Sequence, residues 1–326
     1  MRALITGGAG FVGSWLAREL LSRSADVLVL DDLSTGRYEN LEGIEDGKRL
    51  QLVVDTVNDP HIVDECVKAT DIVFHLASAV GVRLIIDQPV RTIESIVGGT
   101  DVVLRACARY RRPVLITSTS EVYGKGSRIP FSEEDDRIMG ATTKRRWSYA
   151  CAKALDEFLA LAHWYESRLP VVIARLFNTV GPRQTGQYGM VVPSFVRQAL
   201  KNEPITVYGD GEQSRCFGHV QDIVKGLADL MECPRARGEI VNLGNNEEVT
   251  ITQLANRVRE RAGSSSEVVY IPYDQAYGEG FDDMRRRVPD LRKAGDLIGY
   301  VPTRPLATIL DDVIAYEREA IPQANA

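Results

Sequence analysis

Six short apolar runs, separated by stretches of helical spacing, constrain this chain more than any other feature. Ala3–Thr6, Val27–Leu30, Leu52–Val54, Ile72–Leu76, Val114–Thr117 and Val171–Arg175 are rich in Val, Ile and Leu and apolar on both faces. Trp15–Ser22, His61–Val67 and Thr92–Tyr110 carry apolar residues at helical spacing between them. Strands without a polar face need cover on both sides, and strands alternating with helices run parallel. The pattern predicts an α/β fold with a doubly wound parallel sheet. Past residue 178 it loosens at Gly181-Pro182, Gly186, Gly189, Pro193 and Pro204. Glu239–Leu243 reads as a further strand returning to the sheet, and Tyr277–Pro289 as a polar loop among the last helices. The expected division is 1–177 with 216–246 for the sheet domain, and 178–215 with 247–326 for a smaller, discontinuous α/β lobe.

Thr6-Gly7-Gly8-Ala9-Gly10-Phe11-Val12-Gly13 follows the first strand and opens the first helix. At that junction Gly7 permits the tight turn, Gly10 lets the backbone approach a pyrophosphate, and Gly13 allows close helix–strand packing. The helix N-terminus offers amides and a partial positive charge to the phosphates. The second strand ends at Leu30-Asp31-Asp32, where a carboxylate accepts from both ribose hydroxyls and repels a 2′-phosphate. No arginine stands there to take such a phosphate, so NAD is expected rather than NADP. Asp55 after the third strand, and Leu76, Ala77 and Ser78 after the fourth, complete the expected cofactor trough.

Among the twelve tyrosines only Tyr149 has a lysine four residues on, Lys153, and both lie on the expected helix Trp147–His163. That spacing puts the two side chains on one face. A phenol is a poor base at neutral pH, and a neighbouring ammonium together with the positive nicotinamide is expected to lower its pKa so that Tyr149 can take a hydroxyl proton. Upstream, Thr117-Ser118-Thr119-Ser120-Glu121 lies at the carboxyl end of a strand, where such sheets bind ligands. Thr119 is placed to hold the reacting hydroxyl.

Bulk properties exclude other classes. A net charge of −6 argues against nucleic-acid binding. Five scattered cysteines without a C-x-x-C pair read as reduced thiols, with no metal site. No apolar run is long enough to cross a bilayer, and the first residues lack a signal-peptide core, so a cytoplasmic protein is expected.

With these motifs the chain resembles, over nearly its full length, the extended short-chain dehydrogenase/reductases of the nucleotide-sugar epimerase, dehydratase and decarboxylase group. The resemblance implies a Rossmann-type NAD domain and a nucleotide-sugar lobe. Thr119, Tyr149 and Lys153 would then be catalytic, with Tyr149 and Lys153 also touching NAD beside Phe11 and Val12. Such enzymes oxidise the sugar at C4, and the 4-ketose then epimerises, loses water or loses carbon dioxide. Arg175-Leu176-Phe177-Asn178, Thr206–Gly211 and Gln213–Phe217 match the substrate lobe. From these the resemblance implies substrate contacts by Ser120, Asn178, Val192, Tyr208, Arg215 and Arg287. Relatives also pair the helices of Thr92–Tyr110 and Trp147–His163 across a two-fold axis, so a homodimer is expected.

Lys144–Lys153, Ser118–Gly124 and Tyr277–Asp283 closely resemble UDP-apiose/UDP-xylose synthases and the bacterial UDP-glucuronate decarboxylase of lipid A modification. In those enzymes the counterparts of Glu121 and Arg287 act near the C5 carboxylate. The loop Ser78–Leu84, with Arg83, looks more like 4-epimerases. Decarboxylation of UDP-glucuronate is therefore the first reading, a UDP-hexose or UDP-hexuronate 4-epimerase the second, and a 4,6-dehydratase the third. A non-catalytic NAD-binding sensor is the reading from another class. Thr119, Tyr149 and Lys153 occurring together weigh against it.

Overall fold

The computed structural model describes residues 1–44, 48–78, 88–186, 190–277 and 283–320. Seven parallel strands form the central sheet: β1 (Arg2–Thr6), β2 (Asp26–Asp31), β3 (Leu50–Val54), β4 (Ile72–His75), β5 (Val114–Thr119), β6 (Val171–Leu176) and, after four short strands, β11 (Glu239–Leu243). Their spatial order is β3-β2-β1-β4-β5-β6-β11. The order reverses between β1 and β4, whose register pairs Thr6 with His75. Ligands in such sheets bind at this switch point, beyond the carboxyl ends of the strands.

Alternation along each strand feeds two cores. Ala3, Ile5, Val27 and Val29 pack against α1 (Phe11–Ser22) and α6 (Val220–Glu232) on one face. Leu4, Leu28 and Leu30 face α2 (Pro60–Lys68), α3 (Pro89–Tyr110) and α4 (Trp147–Ser167) on the other. Each such side chain, fully buried, contributes about 1.5–3 kcal/mol. β4 ends one residue before the expected Leu76, and β5 runs two residues further than expected, to Thr119.

A third core gathers Val192, Phe195, Val207, Leu254, Val258, Leu310 and Val313. They come from α5 (Val191–Leu200), β8 (Ile205–Tyr208), α7 (Ile251–Ala262) and α10 (Leu306–Ala320). Around it lie short strands that the sequence pattern did not announce. β7 (Thr179–Val180) pairs with β10 (Gly218–His219), and β8 with β13 (Val268–Ile271). β9 (Ser214–Cys216) sits between β12 (Glu248–Thr250) and β14 (Arg286–Arg287). Two further helices, α8 (Tyr273–Tyr277) and α9 (Arg292–Ile298), complete the chain order. No described helix is long and apolar enough to cross a membrane.

Candidate active site

The turn from β1 into α1 is built for close approach. Gly7 has φ +71° and its N–H donates to Leu30 O at 2.8 Å; a Cβ there would stand 2.8 Å from Ala77 N. At Gly13 a Cβ would stand 2.2 Å from Gly7 O, so only glycine lets α1 sit down on the turn. Gly10 caps α1 without a side-chain hydrogen bond. The first-turn amides of Phe11, Val12 and Gly13 therefore remain donors for an anion. Among the described residues a Cβ at Gly10 would meet Gly7 O alone, at 3.1 Å. These features fit a dinucleotide pyrophosphate.

Asp31 is largely buried and tethers this cradle: Ala9 N–H donates to its Oδ2 and Leu33 N–H to its Oδ1, each at 2.9 Å. Burial, with Asp32 adding to it, raises its pKa in spite of these bonds. Each carboxylate oxygen keeps a lone pair for a ribose hydroxyl. Asp32 instead closes its own turn, accepting from Ser34 N–H at 2.9 Å and Ser34 O–H at 2.6 Å. Asp55 accepts from Thr56 N–H at 2.7 Å, and its own N–H donates to Asp31 O at 3.2 Å. Leu76 N–H donates to Thr6 O and Ala77 N–H to Thr6 Oγ1, which places both beside Gly7. Ser78 Oγ is buried without a partner among the described residues, an orphan that suits a trough awaiting a polar ligand. The rest of the Ser78–Leu84 loop, Arg83 included, lies outside the described residues.

On α4, Tyr149 and Lys153 share one face, both buried, against the end of β5. Lys153 Nζ donates to Thr117 O at 3.1 Å and to Asp156 Oδ2 at 3.3 Å. The Thr119 hydroxyl lies close enough to Tyr149 to lower its pKa. Without the nicotinamide charge the Tyr149 pKa is nevertheless raised. Burial is the main cause and the Glu121 carboxylate the next, and together they outweigh the help from Thr119 and Arg287. As it stands, Tyr149 is a neutral phenol and a proton donor.

Beside Tyr149 lies a buried charge cluster drawn from distant parts of the chain. Arg287 Nη2 donates to Glu121 Oε1 at 3.2 Å and lies 3.8 Å from Asp283 Oδ1. Arg146 pairs with Asp283 at 3.0 Å and with Glu121 at 3.6 Å. Arg215 donates to Asp283 Oδ2 at 2.9 Å, and Arg215 and Arg287 are partners across β9 and β14. Burial works against the Glu121 charge, yet Arg146 and Arg287 hold its carboxyl below the usual range. Arg215 is lowered to about 10 by burial and by Arg287. Glu121 is thus kept ionised and stores no proton of its own.

The other expected substrate residues are spread more widely. Ser120 is buried at the start of the turn Ser120–Tyr123. Asn178 already donates to Cys216 O at 3.0 Å. Val192 lies wholly inside the third core, which leaves ligand contact to its backbone amide in the first turn of α5. Tyr208 is partly exposed at the end of β8. Of Tyr277–Asp283, residues 278–282 lie outside the described residues. Among the described residues no group of His, Cys, Asp and Glu could hold a metal.

A family model described as GDP-mannose 4,6 dehydratase matches residues 4–313. The chain belongs to this family of extended short-chain dehydrogenase/reductases. It is 39% identical over 98% of its length, and 98% of the relative's, to a UDP-N-acetyl-alpha-D-glucosaminuronate decarboxylase of Bacillus cytotoxicus. It is 37% identical over 99% of its length to UDP-glucuronic acid decarboxylase 1 of Xenopus tropicalis, covering 74% of that protein. Among solved structures, an epimerase from Methanothermobacter thermautotrophicus superposes with a TM-score of 0.90 at 30% identity, over 98% of this chain and 92% of the other.

Within this family member, three site residues escaped the sequence reading. Arg146 precedes Tyr149 and Lys153 by three and seven residues, a helical spacing that would have marked it as inward-facing. Asn40 donates to Ala9 O at 2.8 Å and pins the glycine loop from behind. Asp283 has no local spacing to betray it, because its partners come from β9, β14 and the residue before α4.

Proposed function

We propose that this chain is an NAD-dependent enzyme that removes the C5 carboxyl group of a UDP-hexuronate, UDP-glucuronate in the first place, through a 4-keto intermediate. One observation carries the choice of substrate. Among the described residues, three buried guanidinium groups (Arg146, Arg215, Arg287) face two carboxylates, Glu121 and Asp283. Buried charge has to be compensated. A cluster of guanidinium groups beside Tyr149 suits an anionic sugar, and a uronate brings its carboxylate to that place.

NAD on the glycine cradle supplies the two-electron oxidant, and its nicotinamide cation adds a positive charge to the site. Tyr149, as the phenolate that the nicotinamide charge would favour once NAD is bound, would take the C4 hydroxyl proton while Thr119 beside it orients that hydroxyl. Oxidation leaves the carboxylate β to a ketone. Its C5–C6 bond then breaks, carbon dioxide departs, and the electron pair enters the C4 carbonyl as an enolate. The protonated Tyr149 phenol donates a hydrogen bond to that enolate oxygen. Glu121, held ionised by Arg146 and Arg287, relays a proton from water to C5 rather than donating a stored one.

The test is incubation of the purified protein with UDP-glucuronate, UDP-N-acetylglucosaminuronate and UDP-glucose, with products resolved by mass. A product lighter by carbon dioxide where the hydride is returned to C4, or by carbon dioxide and two hydrogens where it stays on the cofactor, supports the reading; an isomer of equal mass replaces it with 4-epimerisation, which the likeness to the methanogen epimerase favours.

The active form is taken to be a cytoplasmic homodimer. Leu155, Phe158 and Tyr165 form one exposed stripe on α4, and Val90 and Ile93 are exposed on the neighbouring α3. An isologous pairing of these two helices would bury that apolar surface. The five cysteines are free thiols, as suits a reducing compartment.

A further inference from the structure

A chain of buried polar groups connects the glycine loop to Lys153, and the reaction as written gives it no task. Thr6 Oγ1 lies 2.8 Å from His75 Nδ1, and His75 Nε2 lies 3.1 Å from Thr100 Oγ1. The Thr100 hydroxyl stands against the Asp156 carboxylate, whose Oδ2 receives Lys153 Nζ. Thr6, His75, Thr100, Lys153 and Asp156 are each 3% exposed or less.

One consistent set of directions runs along these links. Ala77 N–H donates to Thr6 Oγ1 at 3.3 Å, which leaves the Thr6 hydroxyl hydrogen free to point at His75 Nδ1. With that choice the neutral His75 carries its proton on Nε2 and donates to Thr100. Burial, followed by the Lys153 charge, lowers the His75 pKa to about 3, so the ring is neutral as this pattern requires. Thr100 stands near enough to Asp156 to ease its charge, while Asp156 Oδ1 is buried without a hydrogen-bond partner among the described residues, so Lys153 is the donor that reaches the carboxylate there.

Asp156 is the group able to balance Lys153. The adjacent Glu157 is committed to Arg175 at 2.8 and 2.9 Å and to Ser118 at 2.5 Å. An ammonium out of water with only a carbonyl for company would be strongly disfavoured. We infer that Asp156 is a positioning residue that holds Lys153 charged and aimed along α4, with Thr100 and His75 standing behind the carboxylate. This rests on the reading that Tyr149 and Lys153 form the working pair. Asp156 loosens no proton in the reaction and touches no reacting atom. The other titratable groups that feel it are Glu157 and Tyr149, and His75 is the other one beside Lys153.

The experiment compares Asp156→Asn, Asp156→Glu and Thr100→Val with wild type. It measures kcat/KM for the UDP-uronate and, separately, calorimetric NAD affinity, both against pH. A desolvated ammonium without its counter-charge gives up its proton more readily. In Asp156→Asn the alkaline fall of both profiles should move at least about one pH unit lower, with kcat/KM down roughly 10- to 100-fold at pH 8. Asp156→Glu should restore part of the shift. In a Lys153→Met background, Asp156→Asn should add little, because the partner is already gone. Thr100→Val should shift the profiles the same way by less, and it decides the matter if Asp156→Asn does not fold. Profiles that superimpose on wild type, or an equal loss with and without Lys153, would overturn the inference. Because NAD titration needs no sugar chemistry, a wild type that turns over no UDP-uronate would sink the proposed reaction while leaving this test intact.

Discussion

Gly13→Ala puts the cofactor cradle under the sharpest strain a single methyl can apply. The new Cβ would stand 2.2 Å from Gly7 O, 2.7 Å from Gly8 Cα and 2.9 Å from Gly7 C, all of them backbone. Unbonded carbon contacts are comfortable only at about 3.5 Å or more, so α1 must retreat by about 1 Å. Overpacking of this kind costs about 1–3 kcal/mol. It also carries the amides of Phe11, Val12 and Gly13 away from the pyrophosphate they are expected to hold. If half of a strain of about 3 kcal/mol falls on the bound state, NAD affinity drops roughly 10-fold, at about 1.4 kcal/mol per decade. The assay is calorimetric NAD titration with thermal unfolding run beside it. Gly295→Ala is the control: its Cβ would meet only Tyr300 O at 3.8 Å, and within α9 the change should stabilise by up to about 1 kcal/mol. Should Gly13→Ala bind NAD within threefold of wild type at an unchanged Tm, the close approach of α1 is not what makes the cradle.

Four other outcomes are expected. Tyr149→Phe keeps the ring's packing but loses the proton carrier, so kcat should fall by about 10² or more with NAD affinity preserved, as steady-state rates and calorimetry will report. Glu121 has a folded pKa below its ordinary value of 4.5, so its charge stabilises the fold fully above that pH and progressively less as pH falls through the folded value. Glu121→Gln should therefore be less stable than wild type by a constant margin from pH 5 to 8, a margin that shrinks below about pH 4.5 in urea titrations; a gap unchanged at low pH would contradict the ion pairing. Arg175→Leu strands the buried Glu157 charge and should destabilise by about 3–5 kcal/mol, roughly 4–8 °C in Tm. Phe158→Glu places a charge in the apolar stripe of α4 and should yield a monomer by light scattering at micromolar concentration.

The sheet was legible because its strands are apolar on both faces and recur with helices between them. Ala3–Thr6 and Glu239–Leu243 lie within a residue of the strands formed. The lobe's strands were not, because β7, β10 and β14 have two residues each and no period can be read from two positions. Tertiary pairing alone defines them, as when Arg286 and Arg287 align with Ser214 and Arg215. The same contrast holds in the site. Gly7–Gly13 and Tyr149–Lys153 are local patterns, visible in a short window. The cluster around Glu121 unites residues near 121, 146, 215 and 283–287, and no spacing rule joins them. Asp156 sat in view, one helical turn beyond Lys153, but an Asp-Glu pair in a helix looks like a solvated face until burial is known. The burial of Tyr149 and the Glu121 carboxylate that raise its proton affinity are invisible to a four-residue motif for the same reason.

Glu157 has a consequence beyond stability. From α4 it reaches Ser118 on β5, Arg175 on β6 and Arg137 in the connecting segment, at 2.5, 2.8 and 3.2 Å. Ser118 is one residue from both Thr117 and Thr119, and Glu157 is one turn from Lys153. A single carboxylate thus sets the gauge between the strand that carries Thr119 and the helix that carries Tyr149 and Lys153. Wear in that gauge would be felt as misalignment long before it was felt as unfolding. On gentle heating this chain should go slack at its chemistry while its sheet is still whole.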